Sequence, residues 1–132
     1  MNVSLPHRGP QTAAIKVLVV DDDPLILKVW RVILRASEFE VMLCNNGQEA
    51  LQALASQKVD VVVTDVMMPG IDGMELLRRV KSARSEIEVI VMTAHGKIQD
   101  AVKAMREGAF DYLRSEEHTS ELQSQFRISY AV

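Results

Sequence analysis

Short, almost continuously apolar runs recur along the chain from Ile15 onward, and most of them are rich in Val. Such runs are typical of strands that are covered on both faces of a parallel sheet. They predict five strands, at Lys16–Val20, Glu40–Cys44, residues 59–64, residues 89–93 and, more briefly, residues 111–113.

Segments with a helical period fill the gaps between these strands. The period predicts helices over residues 25–36, 48–55, 72–81 and 97–107. Capping residues agree with these bounds, because Asp23, Asn46 and Asp72 stand at the starts of three helices and Gly108 follows the last. The apolar residues expected to face the core are Ile26, Val29, Trp30 and Ile33, then Ala50, Leu51 and Leu54, then Leu76, Leu77 and Val80, and finally Ile98, Ala101, Val102 and Met105.

The alternation of strand and helix predicts the topology. A strand, a helix and a second parallel strand are joined by a right-handed crossover, so we expect one α/β domain around a five-stranded parallel sheet. In such sheets ligands bind beyond the carboxyl ends of the strands, where the strand order reverses. Residues that directly follow a strand are therefore the first candidates for chemistry.

Acidic side chains follow two of the predicted strands. Asp21, Asp22 and Asp23 come after the first strand, and Asp65 comes after the third. Carboxylates that meet at one edge of a sheet repel one another, and a hard divalent cation such as Mg²⁺ removes that repulsion while keeping waters for a phosphoryl group. The pattern favours a magnesium site with one carboxylate left to react.

Each of these positions also has a purely structural interpretation. Asp23 before Pro24 is a common helix cap, and Asp65 ahead of a Pro-Gly pair fits the end of a strand before a turn. Thr93 is an ordinary strand residue, and His95 is more often a loop residue than a ligand. The placement of all the acids at strand ends, in chain order, favours a functional site.

Composition narrows the class of protein. The chain has 132 residues, of which 48% are hydrophobic and 25% are charged, and this suits one soluble globular domain. A net charge of −3 argues against a basic nucleic-acid surface. Residues 1–14 lack the apolar centre of a signal peptide, so we expect them to form a flexible leader.

The cysteine count and the hydropathy pattern bear on location. The single cysteine, Cys44, has no internal partner for a disulfide and lies in an apolar run, so we expect a buried thiol with a packing role. No run approaches the roughly 20 apolar residues that span a bilayer. Both observations predict a cytoplasmic protein that does not bind a membrane.

Four motifs give the sequence a specific resemblance to a known family. They are "VLVVDDDP" (17–24), "VVVTDVMMPGIDGMELL" (61–77), "VIVMTAHG" (89–96) and "GAFDYL" (108–113), in that order. The sequence resembles the receiver domain of two-component response regulators, and among these it is most similar to receivers of the nitrogen-regulator kind. The resemblance covers residues 15–113 and implies a flavodoxin-like (CheY-like) doubly wound sheet with strand order 2-1-3-4-5.

The resemblance implies a role for each acid. Asp65 matches the family's phosphoacceptor aspartate, Asp22 matches its direct magnesium ligand, and Asp21 matches a neighbouring acid that acts through water. Met67 matches the position whose backbone carbonyl completes the metal site. The implied magnesium ligands are therefore Asp21, Asp22, Asp65 and the carbonyl of Met67.

Other matched residues imply a conformational switch. Thr93 matches the hydroxyl that moves to the phosphoryl group, and Tyr112 matches the aromatic residue that changes rotamer with it. The family's turn into the third helix is matched by Pro69, Gly70 and Gly73.

The function implied by the resemblance is a switch in phosphorelay signalling, and not an enzyme. A sensor histidine kinase or a phosphotransfer protein would phosphorylate Asp65, and a homodimer is a further expected partner state. Receivers of this kind often precede an AAA+ module and a DNA-binding helix-turn-helix. The expected output is therefore transcription, controlled by a domain outside this chain, and the chain itself is expected to touch no nucleic acid.

Alternative functions stay open at this point. A phosphate-independent docking or dimerisation module has the same fold. An aspartate-nucleophile phosphohydrolase fits less well, because such enzymes usually carry an acid two residues after the nucleophile, where this chain has Met67. A mononucleotide site is not supported, since no Gly-rich loop follows the first strand.

The sequence departs from the family after residue 113. The family has a lysine that pairs with the phosphoryl group, followed by a proline, whereas this chain has Ser115 and Glu116. The segment "RSEEHTSELQS" (114–124) resembles a translated sequencing-library adapter. We therefore expect residues 114–132 to be a non-native tail, and the family's fifth helix to be missing or non-native.

Overall fold

The computed structural model describes residues 14–93 and 98–114 of the 132-residue chain. Within these ranges the elements are β1 Lys16–Val20, α1 Pro24–Ala36, β2 Glu40–Cys44, α2 Gly47–Ser56, β3 Val61–Asp65, α3 Gly73–Ala83, β4 Glu88–Thr93, α4 Ile98–Arg106 and β5 Asp111–Arg114. The strands are parallel and form one sheet in the order β2-β1-β3-β4-β5. This architecture confirms the predicted α/β, flavodoxin-like fold.

Several expectations lie outside the described residues. They concern residues 1–13 of the leader, His95, and residues 115–132 of the tail with Ser115, Glu116 and the missing fifth helix, whereas Arg114 is described and ends β5.

The helix starts agree closely with the capping residues in the sequence. Asp23, Asn46 and Asp72 each accept a hydrogen bond from a main-chain N–H in the first turn of α1, α2 and α3, at 2.8–2.9 Å. After α4, Gly108 adopts a φ of +103°, in the left-handed region that glycine tolerates best. The chain can therefore turn directly from α4 into β5.

Two apolar clusters cover the two faces of the sheet. One cluster joins α1 to the strands through Val17, Val19, Leu27, Trp30, Leu34, Phe39, Val61, Val63, Ile90, Met92 and Leu113. The other joins α2, α3 and α4 to the opposite face, through residues that include Leu18, Val20, Ala50, Leu54, Val62, Leu76, Leu77, Val80, Val91 and Ala104. Each large side chain that is fully buried in this way contributes about 1.5–3 kcal/mol.

The predicted core face of α3 is confirmed, that of α2 is confirmed at Ala50 and Leu54 while Leu51 is half-buried, and that of α1 is shifted. The buried residues of α1 are Leu27, Trp30, Ile33 and Leu34, whereas the predicted Ile26 and Val29 are only half-buried. Since α1 carries apolar residues around most of its circumference, its sequence has no unique apolar stripe. Contact with the sheet selects the buried face.

The predicted core face of α4 is wrong. Val102 and Met105 are 44% and 47% exposed, while Ala104 is completely buried and Ala101 is half-buried. A small side chain at the point of contact lets a helix lie close to the sheet, so the larger residues of α4 fall at the edge of the contact. The apolar residues of α4 do recur with a helical period, but the larger ones, Val102 and Met105, do not lie on the buried side.

Cys44 ends β2 with a buried thiol, as predicted. Burial, together with the negative charge of Glu49, raises the pKa of the Cys44 thiol to about 11. A thiol with so high a pKa is a poor nucleophile at neutral pH. The role of Cys44 is therefore packing.

Candidate functional site

The acids that follow β1 and β3 converge at one edge of the sheet. Val20 of β1 pairs with Thr64 of β3, so the next residues, Asp21 and Asp65, are neighbours across the two strands. One carboxylate oxygen from each of Asp21, Asp22 and Asp65 lies within 4.8 Å of the others. Asp21 is buried, Asp65 is half-buried and Asp22 is exposed. The predicted clustering of these three acids is confirmed.

Burial and mutual repulsion make Asp21 unusually hard to ionise. Burial raises the pKa of its carboxyl to about 7, and the charges of Asp65, Asp22 and Asp23 act in the same direction. The main-chain N–H of Asp23, which donates to Asp21 Oδ1 at 2.9 Å, opposes the shift. Because the pKa lies near 7, the Asp21 carboxyl is only partly ionised at neutral pH unless another charge stabilises it.

Asp65 is perturbed in the same sense. Burial raises the pKa of its carboxyl, and the charges of Asp22 and Asp23 add to the effect. The main-chain N–H groups of Met67 and Val66 oppose this shift and hold the pKa down. Asp65 thus has main-chain N–H groups that favour its charged form and acidic neighbours that disfavour it.

The donor set fits a hard divalent cation. Three carboxylates offer oxygen atoms within 4.8 Å of one another, and the exposure of Asp22 gives access to the waters that Mg²⁺ keeps. Burial and repulsion together raise the pKa values of Asp21 and Asp65, and a cation here would favour the charged forms of both. Asp23 has a different role, because its side chain caps α1 by accepting from the Leu25 N–H at 2.9 Å.

The loop between β3 and α3 returns the chain to the carboxyl end of the sheet. Met67 is 74% exposed, so its side chain takes no part in packing, in line with a role for its backbone alone. Gly70 has a φ of +77° at the turn, and the N–H of Gly73 donates to the Val66 carbonyl oxygen at 2.9 Å. The predicted turn with Pro69, Gly70 and Gly73 is therefore present, and the hydrogen bond between Gly73 and Val66 closes it.

The two predicted switch residues lie on the same face of the sheet. Thr93 is buried and ends β4, one residue after Met92, which pairs with Asp65. Tyr112 of β5 pairs with Val91 and packs against the cluster on the α2–α4 side. Because side chains alternate along a strand, Thr93 and Val91 share a face, and Tyr112 is a diagonal neighbour of Thr93.

The sequence interpretation did not include Thr64, which also contacts the site. Its side chain is completely buried, and its hydroxyl donates to the main-chain oxygen of Asp65 at 3.0 Å. A hydroxyl residue directly before Asp65, within a run of Val, was the available signal.

Comparison with known proteins agrees with this geometry. The family model for the response regulator receiver domain matches residues 17–127. This chain belongs to that family. Receiver domains act as conformational switches, bind Mg²⁺ at an acidic pocket, and interact with histidine kinases or phosphotransfer partners.

Curated relatives of this receiver domain include a transcriptional regulator and a response regulator. The DNA-binding transcriptional regulator NtrC of Escherichia coli is 44% identical over 97 residues, which cover 74% of this chain and 21% of NtrC. The response regulator MprA of Mycolicibacterium vanbaalenii is 38% identical over 99 residues, covering 75% of this chain and 43% of MprA. The chain therefore spans about a fifth of the length of its NtrC-type relatives.

Solved structures show the same fold. A response regulator receiver domain protein from Clostridium thermocellum superposes with a TM-score of 0.78 at 34% identity, over 89% of this chain and 94% of that one. The BeF3-activated receiver domain of DrrB superposes with a TM-score of 0.79 at 29% identity, over 91% of this chain and 100% of that one. In the part of the chain that the structure describes, every helix is too short or too polar to cross a bilayer.

Proposed function

We propose that Asp65 accepts a phosphoryl group from a sensor histidine kinase or a phosphotransfer protein, and that this modification switches the receiver domain. The observation that carries the proposal is the position of Asp65. It is the half-buried member of a three-carboxylate cluster, and it lies at the carboxyl end of β3. A half-buried carboxylate beside a cation site is suited to in-line attack on phosphorus.

Asp21 and Asp22 would hold Mg²⁺ together with Asp65 and the backbone carbonyl of Met67. When bound, the cation supplies positive charge against the phosphoryl oxygens. An oxygen of Asp65 forms the new bond to phosphorus while the bond from phosphorus to the donor imidazole nitrogen breaks. The electron pair of that bond leaves with the imidazole, so the product is an acyl phosphate on Asp65.

Thr93 and Tyr112 would carry the signal away from Asp65. The hydroxyl of Thr93 donates a hydrogen bond to the phosphoryl group and leaves space behind it. Tyr112, which is its diagonal neighbour on β5, turns into that space and changes the surface formed by α4 and β5. Phosphorylation in this scheme biases two pre-existing conformations.

The wider role follows from the relatives. Because NtrC and MprA are regulators of which the matching region is only a part, we assign this receiver to control of a transcription-regulating output domain. In this proposal the domain is a switch and not an enzyme. It contacts nucleic acid only through that output domain, and it associates with a second copy as a homodimer. The free thiol of Cys44 agrees with a reducing, cytoplasmic setting.

The test is phosphorylation of the purified chain with acetyl phosphate and Mg²⁺. We expect an acid-stable, base-labile phosphoryl group on the native chain and none on Asp65→Asn. Asp60→Asn is the matched control, because Asp60 precedes the same strand at its amino end and binds the main-chain N–H of Lys16 at 2.9 Å. Labelling that persists in Asp65→Asn would exclude Asp65 as the acceptor.

A second candidate is a docking module that works without phosphate. It is favoured by one observation, the presence of Ser115 and Glu116 where the family has its lysine and proline. The double change Ser115→Lys with Glu116→Pro restores those residues. If neither the native nor the restored chain is labelled, the docking function is supported; stronger labelling of the restored chain supports phosphotransfer.

A further inference from the structure

The main-chain carbonyl of Asp65 is enclosed by the first residue of α3. Gly73 lies so close that a Cβ at position 73 would overlap the Asp65 oxygen, and it would also lie 2.9 Å from the Asp65 carbonyl carbon and from the Val66 Cα. These neighbours are backbone atoms and have no rotamer that relieves the contact. The backbone at Gly73 requires no positive φ, so the need for glycine here comes from space alone.

Thr64 holds the same carbonyl oxygen by a hydrogen bond. The hydroxyl of Thr64 donates to the Asp65 oxygen at 3.0 Å, and the Thr64 side chain is completely buried. One carbonyl group is therefore both confined by Gly73 and bonded by Thr64.

Fixing this carbonyl also fixes the donor beside the Asp65 carboxylate. A peptide unit is planar, so the Asp65 carbonyl and the Val66 N–H move together. The Val66 N–H donates to the Met92 carbonyl oxygen at 3.0 Å, so β4 also holds this peptide. A rotation of this peptide would break that bond and shift the Cα of Asp65, from which the carboxylate extends.

We infer that Gly73 and Thr64 are positioning residues. They hold the peptide after Asp65 and thereby keep the Asp65 carboxylate facing the cation and the phosphoryl donor. The inference rests on the proposed role of Asp65. It assigns to Gly73 a function beyond the turn in which it lies, and it assigns to Thr64 a function in the site.

Gly47 provides a matched control for Gly73. It is also crowded, although less severely than Gly73, because a Cβ at position 47 would lie 2.8 Å from the Ile71 Cβ and 2.9 Å from the Ile71 carbonyl oxygen. The crowded group belongs to the same loop, but it is not part of the peptide that follows Asp65. Gly47→Ala therefore disturbs packing of the loop without touching that peptide.

The experiment measures Mg²⁺ affinity by titration calorimetry and labelling by acetyl phosphate, each corrected for the folded fraction. We expect Gly73→Ala to weaken Mg²⁺ binding by about tenfold or more, as is usual when a group that orients a metal ligand is lost. Its maximal labelling rate should fall, whereas the half-saturating acetyl phosphate concentration should change little. Gly47→Ala should lower the urea midpoint while its Mg²⁺ affinity stays close to that of the native chain.

Thr64→Val decides the question if Gly73→Ala does not fold, because valine keeps the shape of threonine and removes the hydroxyl. We expect a smaller loss of Mg²⁺ affinity and of labelling rate in this variant. Native Mg²⁺ affinity in folded Thr64→Val and, where it folds, Gly73→Ala would overturn the inference. A native chain that binds Mg²⁺ but takes no label would instead overturn the proposed role of Asp65. The positioning role would then still be tested by comparing the Mg²⁺ affinities of the variants and the native chain.

Discussion

The main-chain N–H of Val66 donates to the carbonyl oxygen of Met92 at 3.0 Å. This bond joins the residue after Asp65 to Met92, which pairs with Asp65 and directly precedes Thr93. The proposed acceptor and the proposed switch residue are therefore held at adjacent strand ends by the backbone of the sheet. Their relative position depends on strand register more than on the side chains around them.

Removal of divalent cations should make the stability of the domain fall as the pH rises. Burial raises the pKa of Asp21 from 3.8 to about 7, so the folded state binds this proton more tightly than the unfolded state. The contribution of Asp21 to stability is fully present below about pH 4 and is lost as the pH rises through about 7, with an amplitude on the order of a few kcal/mol. Urea unfolding in EDTA across this range measures it.

Asp21→Asn is the control for this pH effect, since it removes the titrating group and should flatten the profile. Mg²⁺ should oppose the loss at high pH, because it binds the ionised carboxylates and adds about 2.7 kcal/mol at a hundred times its dissociation constant. A metal-free stability that increases between pH 5 and pH 8 would contradict the prediction.

Glu38→Gly should stabilise the protein. Glu38 follows α1 with a φ of +68°, in the left-handed region, and its N–H donates to the Arg35 carbonyl oxygen at 3.0 Å. Glycine adopts this conformation without steric cost, so we expect a gain of about 0.5–1 kcal/mol in the free energy of unfolding. Ser37→Gly, at a φ of −97°, should give no gain, and equal gains in the two variants would count against this explanation.

Met92→Leu should destabilise the α1 side of the core more than its volume change suggests. The indole N–H of Trp30 donates to the Met92 sulfur at 3.1 Å across the buried contact between α1 and β4. Leucine fills similar space but removes that acceptor, so we expect a cost about 1 kcal/mol larger than that of Met68→Leu in the other cluster. Chemical denaturation gives the cost, and a shift in Trp30 fluorescence reports the changed contact.

Substitutions in α4 test which of its faces meets the sheet. Ala104 is completely buried whereas Val102 is 44% exposed. Ala104→Leu should cost about 1–3 kcal/mol by overpacking, while Val102→Lys should change the free energy of unfolding by no more than about 0.5 kcal/mol. The opposite ranking in urea unfolding would show that the apolar period of the sequence had identified the buried face after all.

Local signals in the sequence were sufficient for most of the fold. The β-branched runs mark strands because they suit a sheet covered on both faces, and Asp23, Asn46 and Asp72 mark helix starts because their side chains satisfy free N–H groups. The acids could also be located, since the carboxyl ends of parallel strands share one edge of the sheet. Each of these inferences depends on neighbours in sequence or on a general rule of topology.

The remaining features depend on which elements touch. The buried faces of α1 and α4 were misjudged at Val29 and Val102, because several faces of a helix can be apolar and only contact with the sheet selects one. The roles of Thr64 and Gly73 around the Asp65 carbonyl were likewise invisible, since they arise when α3 returns to the end of β3. Residue types and their spacing therefore determine the elements and the chemistry of the acids, and tertiary packing decides how closely the backbone surrounds Asp65.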